Sequence, residues 1–124
     1  MSEFAIHQGS GAAVVEVNGR LDALAAPQFD GALQAALQAG QGRVVVDLAG
    51  VGYLSSSCLR ILLLGTRRAR ELAGDLKLCC LAPRVRQVLA LAGFDLVFEL
   101  WETRSQALAA FAPRDGSERV CTRA

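Results

Sequence analysis

The sequence predicts a single α/β domain built on a mixed β-sheet with about four helices. Three observations predict it. Strand-like and helix-like segments alternate after residue 40, the pattern of a layered α/β domain. Two short β-rich runs, Phe4 to His7 and Ala12 to Val17, flank the turn-prone Gln8-Gly-Ser-Gly11 and add antiparallel strands. The unbroken apolar run Val44-Val-Val46 reads as a parallel strand covered on both faces. With 124 residues, 52% of them apolar, the chain has material for one domain and one core.

The elements follow in order. Phe4 to His7 pairs with Ala12 to Val17 as a hairpin. Asn18-Gly19 is a strong turn signal and predicts a further tight reversal, with Leu21 and Asp22 as a short extension. Ala26-Pro27 opens a helix, since proline suits the first helical turn. Phe29, Leu33, Ala36 and Leu37 give that helix one apolar face, and Gly40 ends it. Arg43 to Leu48 is the central strand, followed by a short Gly-containing loop. Ser56 to Ala73 is the second helix, ended by Gly74. Its residues Cys58, Ile61, Leu62, Gly65, Ala69 and Leu72 recur at three- and four-residue steps and form the sheet-facing side, with Gly65 allowing close approach. Arg60, Arg67, Arg68 and Glu71 take the other side. Leu64 falls among those charges, an apolar residue suited to a partner contact. Asp75 to Leu81 is the next strand, Pro83 to Ala92 a short helix closed by Gly93, Leu96 to Leu100 a late strand or strand-like turn, and Arg104 to Phe111 the last helix. The ordered domain is expected over residues 1–112. Pro113 to Ala124 is polar and aperiodic and reads as a mobile tail.

Composition narrows the function classes. Charged residues make up 20% and the formal net charge is +1, which gives no broad basic surface for nucleic acid or anionic membrane. No apolar run is long enough for a membrane span. The start, Met1-Ser-Glu-Phe-Ala-Ile-His7, does not read as a secretory signal, so a cytoplasmic location is expected. The four cysteines, Cys58, Cys79, Cys80 and Cys121, lack zinc-site spacing, and His7 is the sole histidine. That spacing gives no expected metal site, and Cys79 and Cys80, adjacent on a strand, should point to opposite faces and not pair with each other. An enzyme is not expected either. A hydrolase nucleophile elbow needs Gly-x-Ser-x-Gly, and the serine cluster has neither glycine. Gly9-Ser-Gly11 is too short for a phosphate loop and lacks its Lys-Ser/Thr.

The most informative stretch is Val44 to Leu64. A buried strand leads through a short loop into Ser55-Ser-Ser57 at the start of a helix. Serine accepts hydrogen bonds from the orphan N–H groups of a helix start. The same position lies at the positive end of the helix dipole, where a phosphate is tolerated. The cluster is therefore a cap and a candidate switch together.

Three segments in this order resemble the STAS domain family, specifically its single-domain bacterial anti-sigma-factor antagonists. Gly19-Arg-Leu-Asp22 is similar to the family's early Gly-x-Leu-Asp turn. Val44 to Leu59 is similar to its strand and Asp-Ser-Ser-Gly-Leu switch loop. Ala82-Pro83 to Gly93-Phe94 is similar to its later strand–helix–Gly unit. The likeness spans roughly residues 4 to 112. It implies a mixed sheet with helices packed mainly on one side. It also implies a binding module that docks on an anti-sigma factor, a serine kinase of histidine-kinase-like fold that carries the ATP, the domain itself needing no cofactor. Phosphorylation in the switch loop would release the complex, and a metal-dependent serine phosphatase would restore it. Ser56 aligns with the phosphoacceptor serine, ahead of Ser57 and Ser55. Asp22 aligns with an acidic residue near the same surface. The expected partner surface comprises Asp22, Ser55, Ser56, Ser57, Cys58, Arg60, Leu64 and Arg67. Ser55 stands where the family has Asp, while Cys58 and Arg60 stand where it has Gly. The other reading is a STAS docking scaffold of a signalling assembly or transporter that is not phosphorylated.

Overall fold

The computed structural model describes residues 3–9 and 11–111; the expected C-terminal tail lies outside the described residues. Five strands form one sheet whose spatial order equals their chain order: β1 (Glu3–Gln8), β2 (Ala13–Leu21), β3 (Arg43–Leu54), β4 (Asp75–Cys79) and β5 (Glu99–Trp101). β1 is antiparallel to β2, and every later neighbour is parallel. The parallel strands are joined by α1 (Ala26–Ala39), α2 (Ser56–Glu71) and α3 (Pro83–Leu91) with a single 3₁₀ turn at Phe94–Leu96; α4 (Arg104–Phe111) follows β5.

Strand order explains where the helices lie. Parallel crossovers are right-handed, so a sheet that grows in one direction places successive crossover helices on one face. Residues of α1, α2 and α3 share a core with Val15, Val17, Val44, Val46, Leu76 and Leu78. The alternate residues Val14, Val45 and Cys79 form a smaller cluster on the opposite face with Ala107 of α4. The Val44 to Val46 run is thus covered on both sides, as its composition predicts. Gly65 permits close packing of α2: a Cβ there would stand 3.3 Å from side-chain carbons of Leu33 and Leu76.

Four expectations need correction. Asn18-Gly19 is not a reversal, because β2 runs straight through it to Leu21. Gly19 does adopt a positive φ of 111°, but it does so beside a register irregularity. The pairing with β3 shifts between Glu16 and Asn18 and again between Gly19 and Leu21, each time with one extra residue on the β3 side. For the same reason the Gly-containing loop after Leu48 is strand: the bulged β3 continues to Leu54. The late strand starts only at Glu99, after the 3₁₀ turn. Finally, Leu72 is 55% exposed and does not join the sheet-facing side of α2, whereas Thr66, on no predicted face, is buried.

Candidate functional site

The site forms where β2 and β3 both end. Leu21 pairs with Leu54, and the Ser55 N–H donates to the Leu21 carbonyl at 2.8 Å. The turn into α1 and the entry to α2 are therefore side by side. Ser55 is the N-cap of α2: its backbone is extended (φ −81°, ψ 163°) and its Oγ accepts from the Cys58 N–H at 3.2 Å. A second tie comes from Cys58, whose Sγ donates to the Asp22 carbonyl at 3.5 Å. Asp22 in turn caps the other turn, its Oδ1 accepting from the Ala25 N–H at 3.1 Å.

Ser56 and Ser57 occupy the first helical turn with exposed side chains. Their N–H groups stand where a helix has no intrahelical acceptor to offer. Arg60 follows Ser56 by one helical turn and is exposed. Among the described residues, Arg60 and Arg67 make no ion pair with a carboxylate.

Cys58 departs from the expected partner surface. It is fully buried in the main core, so its thiol holds Asp22 against α2 and is not presented outward. Burial pushes that thiol up, the Ser55 hydrogen bond pulls it down, and the negative charge of Asp22 raises it again. Leu64 and Arg67 are exposed as expected, but they are not part of the serine cluster. A rise of about 1.5 Å per residue places Leu64 about 12 Å along α2 from Ser56. Both line a separate groove with Leu63, Thr66, Arg70 and Val97.

Sequence reasoning missed two residues beside the serines. Leu24 is 91% exposed in the turn after Asp22, and Tyr53 is 43% exposed just before Ser55. The Arg20 guanidinium lies 4.4 Å from the Tyr53 ring centroid, and its Nε is 3.9 Å from Asp22 Oδ2. The signal for Tyr53 was present, since it adjoins the serine cluster. Leu24 has none, because a leucine two residues before a helix looks like any other.

A second polar cluster lies on the sheet's other face, under α4. Arg104 Nη2 is 2.8 Å from Asp47 Oδ2 and 3.0 Å from Glu16 Oε2, and Glu16 Oε1 meets His7 Nε2 at 3.1 Å. Asp47 also accepts the Ala49 N–H through Oδ1 at 3.0 Å. Its hydrogen bonds to Asp47 raise the Arg104 pKa, and the His7 hydrogen bond followed by the Arg104 charge holds the Glu16 carboxyl below its ordinary value. Beside it, Lys77 is buried but donates to Glu99 Oε1 at 2.6 Å and faces the Phe111 ring at 4.5 Å.

Comparison with known proteins places this geometry. A family model described as "Mlab, STAS domain" matches residues 4–102. The chain is 38% identical over 95 residues to BtrV, a candidate anti-sigma factor antagonist of Bordetella bronchiseptica, covering 77% of this chain and 82% of that one. It is 33% identical over 86 residues to a STAS-domain containing protein of Pseudomonas aeruginosa, covering 69% of this chain and 84% of that one. The crystal structure of an anti-sigma factor antagonist from Mycobacterium paratuberculosis superposes with a TM-score of 0.80 at 28% identity, covering 90% of this chain and 94% of the other. Among the described residues no helix is long and apolar enough to cross a membrane.

Proposed function

The chain belongs to the STAS domain family, and from that premise we propose that it is a cytoplasmic anti-sigma factor antagonist, a binding module and not an enzyme. Its partner is an anti-sigma factor that is also a serine kinase of histidine-kinase-like fold. The kinase brings the ATP, and the domain uses no cofactor of its own. The likeness to BtrV and to the mycobacterial antagonist supports the class of partner.

One observation carries the switch. Ser56 presents an exposed hydroxyl in the first turn of α2, while its neighbour Ser55 does the capping. Modifying Ser56 therefore leaves the cap intact. A phosphate adds about −1.5 to −2 charges at neutral pH. The helix dipole and Arg60 one turn on accommodate that charge, so the fold survives. The partner surface changes instead. Asp22 is tied to the same helix start through Cys58, with exposed Leu24 in its turn and Tyr53 near the end of β3, and a partner packed against this end of the sheet would have to desolvate a dianion. Release follows from local repulsion, and a metal-dependent serine phosphatase resets the module.

The test is Ser56→Asp, assayed for binding to the cognate anti-sigma factor and for secondary structure by circular dichroism. Binding is expected to be lost with the fold unchanged. Phosphopeptide mapping of protein from its native cells checks the modification directly, with one phosphate on Ser56 that varies with growth and stress. A loop unmodified in every condition, together with full binding by a Ser55/Ser56/Ser57 triple alanine variant, would identify an unswitched docking scaffold instead.

A further inference from the structure

On a regular strand, Cys79 and Cys80 would point to opposite faces of the sheet. Here they do not. Cys79 is the last residue of β4, paired with Asp47 of β3, and its side chain enters the back-face cluster under α4. Cys80 then adopts a left-handed backbone with φ 64°, an uncommon state for a residue with a Cβ. Its N–H is fixed by the Trp101 carbonyl at 3.2 Å. The reversal of the backbone brings the Cys80 thiol back to the side of its neighbour. The two Sγ atoms and a carboxylate oxygen of Asp47 all lie within 4.8 Å of one another.

We propose that Cys79, Cys80 and Asp47 bind one thiophilic divalent cation of the zinc–cadmium class. Two sulfurs and one oxygen suit such an ion, and a hard cation such as magnesium would not choose them. In a tetrahedral zinc site with Zn–S of about 2.3 Å, the ligand atoms stand about 3.8 Å apart. The ligand atoms here lie within 4.8 Å of one another, so the bound ion would draw them closer together. Each thiol gives its proton to solvent as its sulfur–metal bond forms, and a water fills the fourth position. Two thiolates, a carboxylate and a dication leave one net negative charge. The Arg104 guanidinium, 2.8 Å from Asp47 Oδ2, supplies the matching positive charge. Asp47 retains free lone pairs beyond its bonds to Arg104 and Ala49. Cys80 is only partly buried and gives the ion its entry.

The experiment titrates the reduced full chain with Cd²⁺ and reads the ultraviolet thiolate-to-cadmium absorption. One equivalent is expected, with a band sized for two thiolates. Cys80→Ser should lose the band, and Cys58→Ala and Cys121→Ser should keep it. In the wild-type protein, amide NMR shifts on adding Cd²⁺ should centre on residues 46–49 and 78–81, which tests the site without any variant. Absence of the band in wild type, its persistence in Cys80→Ser, or shifts centred elsewhere would overturn the proposal.

Discussion

Ser55 and Ser56 are adjacent and chemically identical, and the helix start gives them different tasks. Ser55 Oγ is committed to the Cys58 N–H, so Ser55→Ala should lower stability by about 1 kcal/mol in urea unfolding. Ser56→Ala leaves that cap bond in place and should leave the unfolding midpoint nearly unchanged. That pair of results would separate the cap from the switch. The sequence locates the serine cluster because capping chemistry is local. It also places Asp22 near it, through resemblance. It does not show that Cys58 faces inward toward the Asp22 peptide, which depends on where the β2–α1 turn lands. Nor does it show that Leu24 is exposed, since exposure is a property of the whole surface. Cys80 is the clearest case. Alternation along a strand is a sound rule, and it fails at Cys80 because its φ of 64° leaves the strand region.

At the level of elements, α4 is held to the sheet by ion pairs as well as by apolar packing of Ala107, Leu108 and Phe111. Only Ala107 of that helix is fully buried, while Arg104 reaches both Asp47 and Glu16. Arg104→Gln leaves the Asp47 carboxylate buried without its cation. The expected loss is about 2 kcal/mol by chemical denaturation, with faster amide exchange concentrated in α4. A different constraint acts at Gly74, where a Cβ would run into the Gly42 carbonyl oxygen. The obstacle is backbone, so Gly74→Ala should cost about 2–3 kcal/mol in thermal or urea unfolding. Helix ends such as this one are legible because Gly interrupts an apolar period. The error at Asn18-Gly19 has the opposite origin. A glycine with positive φ serves a hairpin turn and a bulged strand equally well, and only the pairing with β3 decides between them.

For the molecule as a whole, acid sensitivity should begin on the back face of the sheet. The folded-state pKa of Glu16 lies below its ordinary value of 4.5. Its contribution is therefore complete above that ordinary value and is lost as pH falls through the depressed folded value. Glu16→Gln should flatten the acid limb of the stability–pH curve measured by urea unfolding, with little change in its slope above pH 5 or so. The fold class was legible because alternation is a general rule, and the one-sided helix layer was legible through the resemblance, with crossover handedness as its physical reason. The back-face network was not, because it joins residues of β1, β2, β3 and α4 that no local pattern links.

The sheet's spatial order also bears on how the chain is made. Since strands β1 to β5 stand side by side in the order they appear in the chain, a polypeptide leaving the ribosome never has to open a finished pairing to admit a later strand. Each new strand meets a free edge built by the one before it. The advancing edge is always the newest, and β1 is sealed on one side as soon as β2 emerges. Among the described residues, α4 reaches back across the sheet, to Asp47 and Glu16. Its docking is the step that must wait until synthesis has passed the last strand.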